Sequence, residues 1–425
     1  MTQEQAADQW DPIGRHRTSR RRRGLAPVRM AVRIVAAGVS LSLLVGAGYL
    51  RHTYDSLDRG LHRVAVGGLG QAPAPATGAR LQHIDGAAQN LLVIGDDDRS
   101  GLTPRQIATL HVGAADATTS TDTLMVVHVP ANGAKATLIS IPRDSYVAIP
   151  GFRNDKINAA YIDGYTYGTA GYPVTASSSV AQRQAAGLTL LVRVVKNLTG
   201  LTIDHYVLVN FLGFYNIAVA IRGVTVDLCH AVDDSPARNR AQGLGGVGSG
   251  FVESAGVHHL TPTESLEFVR QRHNLFDGHG HELNDIGREA RQRYFLAAAF
   301  ARIERAGTLL NPGKLNALVA AIKSTLTIDS GLSLDSLAHQ LLDLTGGNIV
   351  GQTIPTQGSR TFPSPVGDAL VVDPVQVQDR ISRWLNPPAP STPSSSTPAG
   401  SSAAPGGATR TPAGGVAAAA HGCVN

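Results

Sequence analysis

The chain has 425 residues, with 37 basic and 32 acidic side chains, a net charge of +5 at neutral pH, and 43% hydrophobic and 16% charged residues. These proportions exclude a wholly disordered protein, and they exclude a polytopic transporter because only one stretch is apolar enough to span a bilayer. The basic excess is confined to residues 1–33, where eight arginines stand against three acidic residues. The charge therefore gives no reason to expect that the folded body binds nucleic acid.

The basic arm is followed by an uncharged apolar stretch over residues 34–50. This length is at the short end for a spanning helix, and the positive-inside rule predicts that residues 1–33 stay in the cytoplasm while the rest lies outside the cell. We therefore expect a single-pass cell-membrane protein with an uncleaved signal-anchor. A cleaved signal peptide is the alternative, which is disfavoured because the basic arm is long and no clear A-x-A site follows.

Composition divides the remainder of the chain into three parts. Residues 51–87 are predicted to form a stalk helix over 51–66 and then a Gly/Pro/Ala linker. Residues 88–385 carry regular hydrophobic periodicity and form the globular body. Residues 386–425 are rich in Pro, Ser, Thr, Ala and Gly, so we expect a disordered tail that buries no core.

The globular body alternates strand-like and helix-like segments. Strands are predicted at 91–94, 123–129, 136–141, 205–209 and 224–228, and helices at 182–198, 286–305, 314–325 and 333–344. A capping box with proline at the first helical position, Thr261-Pro262-Thr263-Glu264, predicts the start of a further short helix. Interleaved strands and helices predict an α/β class domain, layered α/β/α, with a central mixed sheet.

Two of the predicted strands carry carboxylates at one end. Asp96, Asp97 and Asp98 follow the first strand directly, and Asp122 stands at the start of the second. If these strands are neighbours, Asp97 and Asp122 converge at one sheet edge. Two carboxylates with water and phosphate oxygens suit Mg2+. A solvated turn with an Asx cap is the alternative.

Arginines recur at the ends of the predicted elements. The candidates are Arg143 after the third strand, Arg270 and Arg272 after the capped helix, and Arg288, Arg291 and Gln292 on one face of the long helix. Guanidinium groups bind phosphate bidentately, so several of them converging on one point indicate a polyphosphate ligand. Pairing of these arginines with Asp and Glu at the surface is the alternative.

Cys229 and Cys423 are the two cysteines of the sequence. A location outside the cytoplasm permits a disulfide between them, and two free thiols are the alternative.

The order of these motifs resembles that of the LytR–CpsA–Psr family. The matching segments are NLLVIGDDDR (90–99), TDTLMVVHV (121–129), LISIPRDSYVAIPG (138–151), KINAAY (156–161), IDHYVLVNFLGF (203–214), RGVTV (222–226), LTPTESLEFVRQRH (260–273) and DIGREARQRYFLAA (285–298). The short basic arm, the single anchor and the outward-facing domain are also similar to this family.

The resemblance implies a Mg2+-dependent phosphotransferase at the outer membrane face, which moves a glycopolymer from a polyprenyl-pyrophosphate carrier onto peptidoglycan. Its partners would be the lipid-linked glycan, the peptidoglycan acceptor and membrane lipid. Two further functions would use the same pocket and stay open: a polyprenyl-pyrophosphate pyrophosphatase, and a non-catalytic protein that binds lipid-linked glycan.

The resemblance also implies roles for individual residues. Asp97 and Asp122 would be the metal-side carboxylates, and either could take the acceptor's proton. The residues implied to bind the pyrophosphate are Arg99, Arg143, Arg270, Arg272, Arg288, Arg291 and Gln292. Among these, Arg143 and Arg270 join Asp97 and Asp122 as the expected catalytic residues. The resemblance further favours the Cys229–Cys423 disulfide.

Overall fold

The structure is a computed structural model, and it describes residues 61–70, 88–99, 102–110, 121–131, 136–244, 248–276, 282–305, 311–323, 325–332, 349–387 and 423–424. The predicted cytoplasmic arm, the membrane anchor, the helix at 333–344 and most of the tail lie outside these residues. Across the described ranges, no helix combines the length and apolar character needed to cross a membrane.

A mixed sheet forms the centre of the described fold. Its strands are β1 (His62–Val64), β2 (Gln89–Asp96), β3 (Thr121–Val129), β4 (Ala136–Ser140), β9 (His205–Asn210), β14 (Leu326–Asp329) and β15 (Ile349–Thr353). They are arranged in the order β1-β14-β9-β2-β3-β4-β15. β2 runs antiparallel to β3 and parallel to β9, and β3 runs antiparallel to β4. The predicted central mixed sheet is confirmed.

Smaller sheets surround the central one. One has four strands: β5 (Ser145–Ala148), β6 (Asn154–Lys156), β16 (Ser359–Phe362) and β17 (Gly367–Val371). The others are pairs: β7 (Gly168–Thr169) with β8 (Tyr172–Pro173), β10 (Val224–Leu228) with β13 (Gly256–Leu260), and β11 (Val232–Asp233) with β12 (Val252–Glu253). The predicted strand at 224–228 therefore exists as β10, in a sheet of its own with β13.

The described helices are α1 (Pro104–Thr109), α2 (Ala159–Tyr167), α3 (Val180–Thr199), α4 (Phe211–Ile221), α5 (Pro236–Ala241), α6 (Pro262–Arg270), α7 (Asn284–Arg305), α8 (Pro312–Ile322) and α9 (Pro374–Leu385). Five of them, α3, α4, α5, α6 and α9, begin after a residue whose side chain caps the first turn. The predicted capping box of α6 is present, because Thr261 and Glu264 exchange side-chain to backbone hydrogen bonds.

Helices α3 and α7 cover opposite faces of the central sheet. Leu92 and Val126 pack with Leu191 of α3 in the largest apolar core. Val127, the next residue along β3, packs with Phe300 of α7. Because successive side chains of a strand point to opposite faces, this alternation gives the layered arrangement of helix, sheet and helix.

Two predicted helices differ from the observed elements. Residues 62–64, predicted within a stalk helix, form β1 and pair with β14 at the sheet edge. The hydroxyl of Tyr206 donates to the carbonyl of Val64, so this short segment belongs to the domain. The helix predicted over 314–325 ends at Ile322, and Leu326 begins β14, because the sequence Thr-Leu-Thr-Ile favours an extended strand.

The end of the chain is attached to β10. Cys229 and Cys423 form a disulfide. Val424 donates its N–H to the carbonyl of Asp227 and accepts a hydrogen bond from the N–H of Cys229. Val424 is buried in an apolar core. Residues 423–424 therefore depart from the prediction of a wholly disordered tail, because a covalent bond and a buried side chain hold them on the domain.

Candidate functional site

Most of the polar residues singled out in the sequence converge at one edge of the central sheet. Asp96 at the end of β2 pairs with Thr121 at the start of β3, with a bulge after Gly95. β4 runs parallel to β2 and ends just before Arg143. The end of α6 and the start of α7 bring further charged residues to this edge. We call the following residues the strand-end cluster: Asp97, Arg99, Asp122, Arg143, Arg270, Arg272, Asp285 and Arg288.

Arg143 connects three carboxylates. Its Nη1 donates to Asp122 Oδ1 at 2.7 Å and its Nη2 donates to Asp285 Oδ2 at 3.1 Å. Its Nε lies 3.5 Å from Asp144 Oδ2. Burial lowers the pKa of Arg143, but Asp122 and Asp285 more than offset this, so the net shift is upward. The guanidinium group is therefore charged and held in one orientation.

Asp285 also contacts two more arginines. Arg288 Nη2 lies 3.2 Å and Arg272 Nε 3.6 Å from Asp285 Oδ1. Arg288 is only 3% exposed, and its Nε has no hydrogen-bond partner among the described residues. Burial, followed by repulsion from Arg272, lowers the pKa of Arg288 to about 10, so the group keeps its charge at neutral pH. A buried cation with a donor to spare suits an anionic ligand.

Phe211, the first residue of α4, brings two other arginines together. Arg99 makes a bidentate pair with Asp97, in which Nε lies 3.0 Å from Oδ1. The Cζ atoms of Arg99 and Arg270 lie 6.0 and 5.5 Å from the centre of the Phe211 ring. Burial, followed by repulsion from Arg99, lowers the pKa of Arg270 to about 10. Arg270 is further oriented by donation to the Leu110 carbonyl at 3.2 Å.

The carboxylates beside the cluster crowd one another. Burial and then Asp98 raise the pKa of Asp96 to about 7, with Asp97 and Asp122 acting in the same direction. Mg2+ ordinarily takes one or two carboxylates and completes its shell with water and phosphate oxygens, so the oxygen donors of Asp97 and Asp122 fit this ion. A group of three or more His, Cys, Asp or Glu side chains able to hold a metal is not found in the described part of the chain.

Arg291 occupies a different environment from Arg288. Its side chain is fully buried, with Cζ 4.6 Å from the centre of the Phe268 ring and 5.4 Å from that of Phe251. Burial lowers its pKa to about 9, against the opposing charge of Asp234. Residues three apart on a helix differ by about 60° around its axis. Because of this difference, Arg291 faces the aromatic core while Arg288 faces the strand-end cluster. The structure therefore does not bring Arg291 into the strand-end cluster, contrary to its expected pyrophosphate contact.

Gln292 lies one helical turn beyond Arg288 on α7. Its buried Oε1 has no hydrogen-bond partner among the described residues. Its role as a ligand of the pyrophosphate stays a prediction.

Two residues of the site were missed in the sequence. Asp285 is one of many acidic residues that could pair with arginine at the surface, yet it contacts Arg143, Arg272 and Arg288. Its signal was an acidic residue in the first turn of a predicted helix, three residues before an arginine. Lys156 extends the site through Asp144, with Nζ 3.3 Å from Oδ1, and only its place in the KINAAY segment marked it.

Residues 74–369 match the model of the LytR_cpsA_psr family. The chain is 37% identical over 280 residues to the cell wall biosynthesis protein LcpA of Corynebacterium glutamicum, an alignment that covers 64% of this chain and 50% of LcpA. It is 31% identical over 230 residues to the polyisoprenyl-teichoic acid–peptidoglycan teichoic acid transferase TagU of Oceanobacillus iheyensis, covering 53% of this chain and 56% of TagU. The chain thus spans about half the length of these relatives.

Solved structures share the fold. TagT bound to LI-WTA matches with a TM-score of 0.50 and 19% sequence identity, covering 76% of this chain and 98% of TagT. Protein gbs0355 from Streptococcus agalactiae matches with a TM-score of 0.50 and 19% identity, covering 72% of this chain and 91% of the other.

Proposed function

The chain belongs to the LytR–CpsA–Psr family, and on that premise we propose that it is a phosphotransferase that moves a glycopolymer from a polyprenyl-pyrophosphate carrier onto peptidoglycan. The observation that carries the proposal is the strand-end cluster, in which five arginines converge on one edge of the sheet and buried Arg288 keeps a donor without a hydrogen-bond partner among the described residues. The similarity to TagU, whose name includes both a polyisoprenyl-linked polymer and peptidoglycan, supports the choice of substrates.

The cluster suits phosphoryl transfer because that reaction depends mainly on positioning and on neutralising charge. A hydroxyl oxygen of the acceptor attacks the phosphorus that carries the glycan, and the bond from this phosphorus to the bridging oxygen breaks. Polyprenyl phosphate leaves with that oxygen. Arg143, Arg270 and Arg288 bind the pyrophosphate oxygens and stabilise the negative charge that grows on the leaving group.

The two carboxylates have separate orienting partners. Arg99 holds Asp97 and Arg143 holds Asp122. Either carboxylate can accept the proton of the attacking hydroxyl, and its guanidinium partner orients it for that task. Asp97 and Asp122 would also hold Mg2+, which when bound supplies further positive charge to the pyrophosphate.

The proposed reaction takes place outside the cell, on a domain tethered to the membrane that holds the carrier lipid. Supporting this location are the basic residues 1–33 followed by the apolar residues 34–50. The Cys229–Cys423 disulfide is also typical of an oxidising compartment. Protease treatment of intact cells tests the orientation: residues 61–425 should be cleaved and the N-terminal arm protected.

A transfer assay with the full chain in non-ionic detergent tests the activity. It combines Mg2+, a polyprenyl-pyrophosphate carrying a labelled glycan, and peptidoglycan fragments. We expect label on peptidoglycan and release of polyprenyl phosphate only when the acceptor is present. Arg270→Ala should abolish transfer, while Arg240→Ala, at an exposed residue of α5, should leave it unchanged.

Other outcomes of the assay contradict the proposal. Cleavage of the carrier without need for an acceptor would indicate a pyrophosphatase. Binding of the labelled carrier with no turnover would indicate a non-catalytic glycan-binding protein.

A further inference from the structure

One side of the four-stranded sheet β16-β17-β5-β6 carries aromatic rings and cations together. Tyr146 of β5 pairs with Lys156 on one side and with Val371 on the other. Two residues before Val371, Ala369 pairs with Arg360. Paired residues, and residues two apart on one strand, point to the same side of a sheet. We call this side the aromatic face, and its large polar and aromatic side chains are Tyr146, Lys156, Arg360 and Phe362.

The aromatic face points toward solvent. On the other side of β5, Ser145 and Val147 are buried, and Val147 belongs to the largest apolar core. Tyr146 and Phe362 are half-buried and Arg360 is exposed. Part of each ring is therefore accessible to a ligand that approaches from outside.

The two rings hold each other in one orientation. The centres of the Tyr146 and Phe362 rings lie 3.9 Å apart, with 18° between their planes. The Cζ atom of Arg360 lies 5.3 Å from the centre of the Phe362 ring. Side chains that are already ordered lose little conformational entropy when a ligand binds. The aromatic face is therefore organised for binding before a ligand arrives.

The chemistry of this face suits a carbohydrate. The C–H bonds on one side of a sugar ring carry partial positive charge, and they pack against the negative π surface of an aromatic side chain. Guanidinium and ammonium groups beside the rings donate hydrogen bonds to hydroxyl, carbonyl and carboxylate oxygens. Asp155 and Asp368 alternate to the opposite side of the sheet, so they do not repel an anionic group on the aromatic face.

The aromatic face adjoins the strand-end cluster. Lys156 Nζ lies 3.3 Å from Asp144 Oδ1, and Asp144 Oδ2 lies 3.5 Å from Arg143 Nε. Arg143 in turn donates to Asp122 Oδ1 at 2.7 Å. A ligand on the aromatic face therefore reaches the cluster from the side of Asp122, one of the two carboxylates that can accept the proton of the attacking hydroxyl.

We propose that the aromatic face binds the glycan of the peptidoglycan acceptor, with a sugar ring against Tyr146 and Phe362 and a carboxylate beside Arg360. The identity of this occupant rests on the proposed function. Peptidoglycan offers both parts, because its sugars have apolar C–H sides and its lactyl and peptide groups carry carboxylates. The donor carries its negative charge in the pyrophosphate, which the strand-end cluster binds.

Calorimetric titration of the full chain in non-ionic detergent tests the proposal. The probe is a soluble disaccharide–tetrapeptide fragment of peptidoglycan, and we expect saturable binding. Tyr146→Leu/Phe362→Leu keeps apolar side chains but removes both rings, so it should weaken binding about tenfold or more. Arg360→Gln changes an exposed residue and should weaken binding about threefold or more.

A matched control makes the result specific. Tyr167→Leu removes an aromatic ring from α2 that is 70% exposed, and it should leave the affinity for the fragment unchanged. Circular dichroism checks the fold of each variant, and Arg360→Gln keeps the test valid if the double variant does not fold.

The transfer assay gives a second readout. Tyr146→Leu should raise the KM for the peptidoglycan acceptor about tenfold, while kcat and the KM for the carrier change less than about twofold. A merely structural effect on the strand-end cluster would lower kcat as well.

Three results would overturn the proposal. The first is a parent chain that does not bind the fragment, and the second is an unchanged affinity in a folded ring or Arg360 variant. The third is a higher KM for the carrier instead of the acceptor, which would assign the face to the donor glycan. Binding that the ring variant weakens, in a chain that transfers no label, would contradict the proposed function and leave this inference intact.

Discussion

Two regions of the molecule hold buried arginines of the same helix in different ways. Arg288 lies at the strand-end cluster, 3.2 Å from Asp285 and near the charge of Arg272. Arg291, one turn of α7 further on, lies against the rings of Phe251 and Phe268. Burial lowers the pKa of both arginines. Their neighbours, and not their burial, distinguish an arginine that can take a ligand from one that stabilises the core.

The strongest expected effect is on the core arginine. Arg291→Met removes the cation that lies against two aromatic rings, and the buried Asp234 loses the positive charge that interacts with it. We expect the free energy of unfolding to fall by about 3–5 kcal/mol, as when a buried charge pair is broken. Urea unfolding measures this loss. Transfer activity per folded molecule should change less than twofold, and a stable variant without activity would move Arg291 into the ligand site.

The disulfide stabilises the same aromatic region. Val424 belongs to the core that contains Phe251 and Phe268, and the disulfide holds it there. Cys229→Ser should lower the free energy of unfolding by about 2–4 kcal/mol, measured by urea unfolding without reductant. The double variant with Cys423→Ser should lose no more than the single one. An unchanged midpoint would show that the chain end adds nothing to this core.

Substitutions in the strand-end cluster should lower the transfer rate more than they lower the stability of the fold. Arg270→Lys keeps the charge but replaces a bidentate fork with a point charge, so the transfer rate should fall at least tenfold. Arg143→Ala should have an effect in the same direction. The free energy of unfolding of Arg270→Lys should stay within about 1 kcal/mol of the parent chain. Arg240→Lys is the matched control, and equal rates in all variants would show that Arg143 and Arg270 have only a structural role.

The most gradual effect concerns a buried carboxyl on α7, because it develops only across a range of pH. Burial raises the pKa of Glu289 to about 7, although Arg293 and Arg288 oppose the shift and Asp285 and Asp144 assist it. Between pH 4.5 and 7 the folded state holds an additional proton, so its stability falls as pH rises through this range. The Glu289→Gln variant has no carboxyl group at this position, so its stability does not fall in this way.

The stability of Glu289→Gln relative to the parent chain should therefore increase from pH 5 to pH 8, by about 2–3 kcal/mol. Thermal unfolding at the two pH values measures the change. A constant difference in Tm would show that Glu289 is ionised throughout.

Several features of the site followed from sequence because they depend on short-range patterns. The alternation along β2 and β3 predicted two strands, and their pairing places Asp96 against Thr121, so Asp97 and Asp122 meet one edge. The capping box predicted where α6 begins, and hence that Arg270 stands at its end.

Other features depend on contacts between distant parts of the chain. The pairing of Arg143 with Asp285 joins residues 142 positions apart, and no local pattern selects that partner among many carboxylates. The spacing of Arg288 and Arg291 assigned both to one helix face, but only packing against Phe251 and Phe268 decides which of them enters the core. β1 has three residues, too few to show a period.

A crystal structure of the full chain with a polyprenyl-pyrophosphate analogue and Mg2+ tests the central claim most directly. The proposed function predicts phosphate oxygens within hydrogen-bond distance of Arg143, Arg270 and Arg288, with Arg291 still against its aromatic rings. A pyrophosphate bound elsewhere, with these three arginines in their present contacts, would contradict it.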